Sequence, residues 1–488
     1  MQTGHRHSFW LDEALAADSS DASPALDTEV RADVCIVGGG YTGLWTALRL
    51  KEAEPSIEVV LIEKALCASG ASGRNAGYLL SMWAKYLSLE KVCGESEAVR
   101  IAEASDEAVT EVMQFCTDNG IDADVRGDGW LWVATNTAQQ GLWNDTIDAI
   151  GRHGRAPIVE WSADEVAARL GSNIHAGGAF ERHAARIQPA LLGRGLRRVA
   201  LERGVKIYEH TPLDSLIQGN PAVVRTPKGK VTADRVVLAM NAWAARWAEI
   251  RKAIVVVTGD MFVTPPIPER LEQIGWRDGL TASDGRTLIE YYRTTRDGRL
   301  IYGKGGMSGT FSFGGRVGAE VEGASPYEDT LLDAMRTTFP TLTDIGMTKS
   351  WRGPIDRSKT GLPLFWHLGT RGNVHYAAGF SGNGIGPCHL AGRILSALTL
   401  ERRDEWSTCP LVRAPARDFP PEPFRLIGSR LIRRALIAKD RADDEGRKPP
   451  LAARLAVRLA PAGLSPFESA DDEKPAAAET ATPAAAGR

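Results

Sequence analysis

The residues of this chain best suited to chemistry are three glycines that follow an apolar run near its start. Residues 33–43 read DVCIVGGGYTG, so the spacing Gly38-x-Gly40-x-x-Gly43 comes directly after a run typical of a buried strand. Gly38 permits a tight turn, Gly40 lets a pyrophosphate approach the backbone, and Gly43 allows close helix packing. The N-terminus of the helix that follows offers free N–H groups to phosphate. The spacing therefore predicts a phosphate-binding turn.

The elements around these glycines are typical of a dinucleotide-binding unit. Apolar residues recur at helical spacing over positions 44–50, and residues 58–63 read EVVLIE, a second strand that ends in Glu63. A carboxylate there can accept hydrogen bonds from both ribose hydroxyls and would repel the 2′-phosphate of NADP. GxGxxG alone is weak evidence in a chain with 50 glycines. Strand, glycines, helix, strand and acid in this order favour dinucleotide binding over a crossover that binds nothing.

A second glycine-rich segment bears on which dinucleotide is bound. Residues 70–77 read GASGRNAG and come just after the second strand. A nicotinamide enzyme has no standard use for such a loop, whereas its small residues would let the ribityl and pyrophosphate groups of a flavin dinucleotide run along the chain. Arg74 and Asn75 can meet phosphate or flavin edges. Taken alone, the segment is equally compatible with a surface turn rich in small residues.

Four separated segments resemble the FAD-dependent oxidoreductase family of glycine, D-amino-acid and sarcosine oxidases and related amine oxidases, and the resemblance covers most of residues 8–445. The segments are GGGYTGL (38–44), ASGRNAG (71–77), VVLAMNAW (236–243) and GFSGNGIG (379–386), the last followed by HLAGRILSAL (389–398). Within the family the chain is most similar to bacterial γ-glutamylputrescine oxidoreductase-like and aminophosphonate-pathway oxidoreductase-like proteins. HSFWLDEAL (7–15) and SMWAKYLSL (81–89) favour the second group.

The resemblance implies an α/β fold with an FAD-binding Rossmann-like domain of the glutathione-reductase type and an antiparallel-sheet substrate domain. The length of 488 residues fits two domains, with the active site between them. The expected parts are an N-terminal arm (1–29), a discontinuous FAD-binding domain (30–90, 181–250 and 346–400), a substrate domain (91–180 and 251–345), a C-terminal helical extension (401–447) and a disordered Ala/Pro-rich tail (448–488).

The resemblance also implies FAD as the cofactor and carries a set of binding residues onto this chain. That set is Gly38, Gly40, Tyr41, Thr42, Gly43, Glu63, Lys64, Ala71, Ser72, Arg74, Asn75, Gly77, Leu213, Asn241, Trp243, Gly361, Leu362, Gly382, Asn383, Gly384 and Ile385. Some relatives hold the flavin through a cysteine in the stretch before a GLP turn. Here that stretch, residues 351–363, contains no cysteine, so we expect FAD to be bound non-covalently. Cys388 lies on the wrong side of the glycine segment to serve.

For the chemistry, the resemblance implies hydride transfer to flavin from a primary or secondary amine, which is an amino acid, a polyamine conjugate or an aminophosphonate. The resulting imine would hydrolyse to an aldehyde or keto product, and a strong base is not obligatory. The candidate catalytic residues are Asn383, Tyr291, Arg293 and Lys304. Alternation along a strand places Tyr291 and Arg293 on one face, where Arg293, or Lys85 elsewhere, could pair with a carboxylate or phosphonate. A structural or solvated side chain remains an equal alternative for each substrate-contacting candidate.

Three alternatives remain open: the identity of the electron acceptor, the class of substrate, and whether the chain carries out redox chemistry at all. Sarcosine oxidases place a lysine over the flavin to help oxygen react, but this chain has Ile301 at that position and Lys304 three residues further on. An odd offset points to the other strand face. The electron acceptor is therefore left open: it is oxygen if the enzyme is an oxidase and another compound if it is a dehydrogenase. The same fold could also act on a non-amine such as a hydroxy acid, or bind a nucleotide without redox chemistry.

Composition limits the remaining classes. The net charge is −3, from 61 acidic and 58 basic residues, and no basic block with interleaved aromatics suggests a nucleic-acid partner. Six cysteines lack CxxC or metal-ligand spacing, which predicts reduced thiols and no metal site. No run is long and apolar enough for a signal or membrane span, so we expect a cytoplasmic enzyme without a transmembrane segment. The basic segment at 418–447 favours a packed helix over membrane contact.

Overall fold

The computed structural model describes residues 7–18, 22–306, 313, 316–318, 321–457 and 459–460. Its strands are β1 (Glu29–Val37), β2 (Val59–Ile62), β3 (Tyr78–Leu79), β4 (Trp130–Val133), β5 (Ile158–Trp161), β6 (Gly178–Glu181), β7 (Ala185–Arg186), β8 (Lys206–Tyr208), β9 (Ser215–Ile217), β10 (Ala222–Arg225), β11 (Lys230–Leu238), β12 (Ile254–Val263), β13 (Thr281–Asp284), β14 (Glu290–Thr294), β15 (Leu300–Gly305), β16 (Lys349–Ser358), β17 (Leu364–His367) and β18 (Val374–Ala378).

Helices alternate with these strands in the first half of the chain and dominate its end. They are α1 (Phe9–Ala17), α2 (Tyr41–Ala53), α3 (Tyr86–Cys93), α4 (Glu95–Asp118), α5 (Asn144–Gly151), α6 (Ala163–Leu170), α7 (Pro189–Glu202), α8 (Ala248–Arg251), α9 (Pro268–Gln273), α10 (Glu328–Thr338), α11 (Ile385–Thr399), α12 (Phe424–Asp444) and α13 (Leu451–Val457). None of the helices in the described part of the chain is long and apolar enough to span a bilayer.

The first sheet is built around the predicted dinucleotide-binding unit. Its main order is β17-β18-β11-β1-β2-β8, with β10 and β9 continuing from β11, and the pairings of β1 with β2 and β11 are parallel. Every residue of β2 is buried, as expected for a parallel strand covered on both faces. Helices α2, α7 and α11 pack together on one side. The predicted α/β fold with a Rossmann-like sheet is confirmed.

Steric contacts explain why glycine stands at two positions of the β1–α2 turn. Gly38 has a φ of +115°, and a β-carbon there would lie 2.4 Å from the carbonyl oxygen of Ala239. A β-carbon on Gly43 would lie 2.0 Å from the carbonyl oxygen of Gly38. A side chain at either position would therefore force the turn apart, and the helix could not begin directly beside the end of β1.

The second sheet has the order β16-β12-β15-β14-β13-β4-β6-β5. It is antiparallel, as expected for the substrate domain, except that β4 and β13 run parallel. Strand β16 pairs with β12 along its whole length, so residues 349–358 belong to this sheet rather than to the FAD-binding part in which 346–400 were placed. The long edge of β12 needs a hydrogen-bonding partner, and β16 supplies it.

The two ends of the chain both pack on this framework. Helix α1 buries Trp10, Leu11 and Ala14 against Met261 of β12 and Trp351 of β16. Helix α12 lies in the expected C-terminal extension, and α13 packs on it. The tail from 448 was expected to be disordered. Helix α13 contradicts this for residues 451–457, because Ala453 is buried there, and residues 461–488 lie outside the described residues.

Candidate functional site

A cavity of about 1150 Å³ runs between the two sheets. It begins at the β1–α2 turn, passes the second glycine-rich loop and ends beneath β14 and the β13–β14 hairpin. Most of the residues predicted to bind the cofactor line it, namely Gly38, Gly40, Tyr41, Thr42, Glu63, Lys64, Ala71, Ser72, Arg74, Asn75, Leu213, Asn241, Trp243, Gly382, Asn383, Gly384 and Ile385. The fold thus brings four distant segments of the sequence to one continuous surface.

Glu63 and Ser72 hold the phosphate-binding turn in shape. Glu63 accepts the backbone N–H of Gly39 through Oε2 at 2.8 Å and that of Ala65 through Oε1 at 3.0 Å. Burial raises the pKa of Glu63, and the two backbone hydrogen bonds oppose that shift. Ser72 Oγ accepts the N–H of Tyr41, the first residue of α2, at 2.9 Å. The second loop therefore contacts the N-terminus of α2 directly.

Arg74 and Asn75 shape the second loop. Arg74 Nε donates to the carbonyl oxygen of Ser69 at 2.8 Å, and its Nη1 donates to that of Arg352 at 3.1 Å. Asn75 Nδ2 donates to the carbonyl oxygen of Ser72 at 2.9 Å, and its Oδ1 accepts the N–H of Gly77 at 2.8 Å. Both residues line the cavity, but these polar atoms are already engaged in bracing the loop backbone.

Asp356 organises the C-terminal glycine segment, a role that the sequence did not predict. Its Oδ2 accepts the N–H of Gly379 at 2.6 Å, and its Oδ1 accepts the N–H of Phe380 at 3.2 Å and Nδ2 of Asn241 at 3.0 Å. Burial raises its pKa to about 7 against the lowering effect of these hydrogen bonds. An aspartate in the middle of a strand, three residues after Gly353 and on the buried face of β16, was the available signal.

Asn383 carries the clearest unfilled hydrogen-bonding capacity of the cavity wall. Its Nδ2 donates to the carbonyl oxygen of Ser81 at 3.2 Å, while its Oδ1 is buried without a hydrogen-bond partner among the described residues. A buried acceptor of this kind needs a donor. The imide N–H of a flavin ring is such a donor. Together with the glycine turn and Glu63, this orphaned oxygen makes the residues present fit FAD.

Lys64 and Trp243 lie at the nucleotide end of the cavity. The ammonium of Lys64 lies 4.1 Å from the centroid of the Trp243 ring and forms an ion pair with Glu322. Leu213 also lines this end. Four other predicted residues are not among the cavity lining, namely Gly43, Gly77, Gly361 and Leu362. The first two serve backbone packing, and Leu362 is fully buried in the core.

Three aromatic side chains form the far end of the cavity, which we call the aromatic chamber: Tyr78, Trp130 and Tyr291. Tyr78 donates to the carbonyl oxygen of Ala282 at 2.8 Å, and Trp130 Nε1 donates to Ser283 Oγ at 3.1 Å. Burial raises the pKa of both tyrosine phenols far above neutrality. The sequence singled out Tyr291 only. The roles of Tyr78 and Trp130 depend on which strands become neighbours.

Arg293 and Lys304 do not take the positions predicted for them. Arg293 is fully buried outside the cavity, donates through Nη1 to the carbonyl oxygen of Ile187 at 2.7 Å and lies over the Trp10 ring. It cannot contact a substrate from there. Lys304 forms an ion pair with Glu290 and is not among the lining residues, while Ile301 is buried in the core. Alternation placed Arg293 on the same strand face as Tyr291, but Trp10 of α1 and the backbone at Ile187 cover its side chain there.

Some chemistry is absent from the described residues. They contain no cluster of histidine, cysteine and carboxylate side chains that could hold a metal ion. The described lining contains no histidine, and its carboxylates are Glu63, Asp356 and Asp418. None of these three belongs to the aromatic chamber. The chamber therefore offers shape, ring faces and neutral hydroxyls rather than a strong acid or base.

A Rossmann-like sheet, a glycine turn with a terminal carboxylate and a roofed cavity define a dinucleotide-binding oxidoreductase. The family model described as "DAO: FAD dependent oxidoreductase" matches residues 33–398. The chain belongs to this family of FAD-dependent oxidoreductases, and the predicted cofactor, FAD, is confirmed at that level.

Individual members of the family and one solved structure are similar to this chain. The chain is 29% identical to γ-glutamylputrescine oxidoreductase of Escherichia coli K12 over 88% of this chain and 97% of that protein. It is 26% identical to the probable oxidoreductase OrdL of Haemophilus influenzae over 84% and 92% of the two chains. Among solved structures, glycine oxidase of Geobacillus kaustophilus superposes with a TM-score of 0.62 and 22% identity, over 78% of this chain and 98% of that one. That last likeness concerns the fold alone.

Proposed function

We propose that the protein oxidises a small primary or secondary amine and releases an imine that hydrolyses to an aldehyde or keto product. The observation that carries this proposal is that one continuous cavity in the described part of the chain joins the phosphate-binding turn to the aromatic chamber. A substrate held in the chamber would lie in the same enclosed space as the reactive end of the cofactor. Bound FAD would supply the hydride acceptor.

The chamber suits an amine in its neutral form. Removing an amine from water disfavours its charged form and lowers its pKa. The phenols of Tyr78 and Tyr291 are neutral near pH 7, and burial raises their pKa further above the ordinary value, so they do not stabilise a cation as carboxylates would. Trp130 contributes a further apolar wall. These features favour hydride loss from the carbon next to nitrogen without a dedicated base, and the name of the γ-glutamylputrescine relative agrees with an amine.

Specific residues would hold the reactants. Asn383, with its unfilled Oδ1, would orient the cofactor ring, and Tyr291 would position the substrate. Asp356 would keep the N–H groups of the C-terminal glycine segment in place, since it already binds Gly379 and Phe380. Preorganised donors of this kind stabilise negative charge where it develops.

We propose non-covalent FAD binding. Cys388 is the cysteine in the described cavity lining. Burial raises the pKa of its thiol to about 12, and its Sγ lies 3.1 Å from Thr42 Oγ1. A thiol protonated at neutral pH is a poor nucleophile. All six cysteines are unpaired, which agrees with a reducing compartment, and we place the enzyme in the cytoplasm.

The test is anaerobic reduction of the purified holoenzyme. Its flavin absorbance is recorded while 2-aminoethylphosphonate, γ-glutamylputrescine, putrescine, sarcosine and D-amino acids are added in turn. Bleaching by one amine supports the proposal, and readmitting air separates an oxidase from a dehydrogenase. Bleaching only by a hydroxy acid or glycerol phosphate favours the non-amine alternative. A protein that never takes up flavin would overturn the proposal.

A chamber variant sharpens this test. Tyr291→Leu should lower kcat/KM for the amine by about tenfold or more and leave the FAD content unchanged, because it alters the chamber and not the nucleotide end. The matched control is Tyr208→Leu on β8, which lies in the other sheet and outside the cavity lining. Equal losses in both variants would contradict a substrate role for the chamber.

A further inference from the structure

Helix α12 forms part of the cavity wall, although the family match ends at residue 398. The residues that it contributes to the lining recur every three or four positions, so they share one face of the helix. They are Arg425, Gly428, Ser429, Ile432, Arg433 and Leu436, with Phe424 at the helix start. Its 21 residues extend over about 30 Å at 1.5 Å per residue, and the lining positions run from residue 424 to residue 436.

Two carboxylates fix this helix to the hairpin between β13 and β14. Asp440 accepts the backbone N–H of Thr287 at 3.1 Å and that of Leu288 at 2.9 Å. Asp444 accepts Nε of Arg286 at 3.1 Å. Thr287 and Leu288 themselves line the cavity. Helix and hairpin therefore form one continuous wall beside β14, the strand that carries Tyr291 of the aromatic chamber.

Arg433 is the cationic residue that α12 brings to this end. Its Nε donates to the carbonyl oxygen of Gly306 at 3.0 Å, which holds the half-buried side chain against the lining. Among the described residues, no carboxylate lies within ion-pair distance of its guanidinium, whereas Lys439 on the same helix is paired with Asp443. The carboxylates of the lining follow β2, lie on β16 or precede α12. Among the described lining residues, none of these carboxylates lies on α12 or on the β13–β14 hairpin, the two elements that form the wall around Arg433.

We propose that α12 closes the substrate end of the cavity and that Arg433 binds an anionic group, a carboxylate or phosphonate, carried by the amine substrate. The proposal rests on the proposed amine oxidation and names its substrate class. A guanidinium suits either group because its planar fork donates two parallel hydrogen bonds. The remaining Nη donors of Arg433 would supply them while Nε keeps its bond to Gly306.

The first test measures anion binding to the holoenzyme without turnover. Glutarate and propylphosphonate, which cannot be oxidised at an amine, are titrated while the visible difference spectrum of the flavin is recorded. Arg433→Gln should weaken the binding of both anions and raise each dissociation constant by about tenfold or more. The matched control is Arg434→Gln, the next residue of the same helix, which is exposed and outside the lining, and it should bind as the parent does.

The second test compares two substrates that share the reacting amine. γ-Glutamylputrescine carries a carboxylate and N-acetylputrescine does not. Arg433→Gln should raise KM for the first by about tenfold and leave KM for the second unchanged. Arg433→Lys keeps the charge but not the fork, so it should recover part of the affinity. If Arg433→Gln folds poorly, Arg433→Lys can be used in its place in this comparison.

Three results would overturn the proposal: no anion binding by the parent enzyme, equal anion affinity in Arg433→Gln, or an equal loss in Arg434→Gln. The outcome for the reaction is read separately. If no amine bleaches the flavin but Arg433→Gln still loses anion binding, the proposed amine oxidation fails and the anion site stands. If amines bleach the flavin and Arg433→Gln binds anions normally, the proposed amine oxidation stands and the anion site at Arg433 fails.

Discussion

At the scale of single residues, Glu63 links the sequence motif to the cavity. Its two oxygens bind the N–H groups of Gly39 and Ala65, so the carboxylate braces the turn and also faces the cavity. Its position at the end of β2 was predicted from spacing alone. The backbone contacts were not, because they depend on how the β1–α2 turn curves toward β2.

Glu63→Gln should raise the dissociation constant for FAD by about tenfold. An amide has one acceptor oxygen, so its Nε2 must face a backbone N–H that the carboxylate satisfied. The measurement is a fluorescence titration of apoprotein with FAD. Glu58→Gln, which changes an exposed residue paired with Lys206 just before β2, is the control. Similar losses in both variants would argue against a cofactor role for Glu63.

Glu181 illustrates a buried titrating group that the sequence did not indicate. Its Oε1 accepts the Oγ–H of Ser81 at 2.5 Å, and its Oε2 is buried without a hydrogen-bond partner among the described residues. Burial raises its pKa from 4.5 to about 7. The folded protein thus keeps a proton that the unfolded chain releases between these values.

Removing this titration should change the pH dependence of stability. Because the folded-state pKa is raised, the stability of the parent relative to Glu181→Gln falls as pH rises from 4.5 to about 7. Relative to the parent, the free energy of unfolding of Glu181→Gln should be higher at pH 8 than at pH 4 by up to about 3 kcal/mol. Denaturant unfolding at both pH values measures this. The same gain in Glu160→Gln, exposed on the adjacent strand β5, would contradict it.

At the scale of elements, Arg293 joins β14 to the second glycine-rich loop. Its Nη1 lies within 3.3 Å of the carbonyl oxygens of Ala76 and Gly77 and donates to Ile187. Burial lowers the pKa of its guanidinium to about 9. The strand face was predictable, but only the packing of α1 and the loop over β14 turns that face into an interior.

Arg293→Met should cost about 3 kcal/mol of stability or more, because several buried carbonyls lose their donor. It should affect KM for anionic and neutral amines equally, unlike Arg433→Gln. Chemical unfolding and steady-state kinetics measure the two effects. Arg296→Met removes an arginine that is 59% exposed and should cost less than about 1 kcal/mol. A selective rise in KM for the anionic amine would restore the substrate role of Arg293.

At the scale of the whole molecule, the arm at the start of the chain connects the two sheets. Trp10 Nε1 donates to the carbonyl oxygen of Asn75 in the second loop at 3.0 Å, and its carbonyl accepts Nε2 of Gln188 at 2.9 Å. Its ring packs on Trp351 of β16. The second glycine-rich loop, which lines the cavity, is thus held from outside by Trp10, a residue that the family match does not include.

Trp10→Ala should therefore destabilise the protein by about 3–5 kcal/mol and weaken FAD binding at the same time. The cavity left behind would free the second loop. Thermal unfolding with and without added FAD, together with FAD titration, tests both parts. Leu15→Ala, a half-buried residue of the same helix, should cost less and leave FAD affinity unchanged. Normal FAD affinity in Trp10→Ala would refute the coupling.

The sequence by itself determined the β1–α2–β2 unit, its glycines and Glu63, because these groups are close along the chain and each residue type is required locally. The resemblance then identified the family and FAD. Only the tertiary structure decided that Asp356 holds the glycine segment, that Tyr78 and Trp130 line the same cavity as Tyr291, that Arg293 is interior and that α12 forms part of the cavity wall. Such contacts join residues far apart in the chain, as Leu288 and Asp440 are. The side that a residue faces depends on which element packs there, and local sequence does not encode that neighbour.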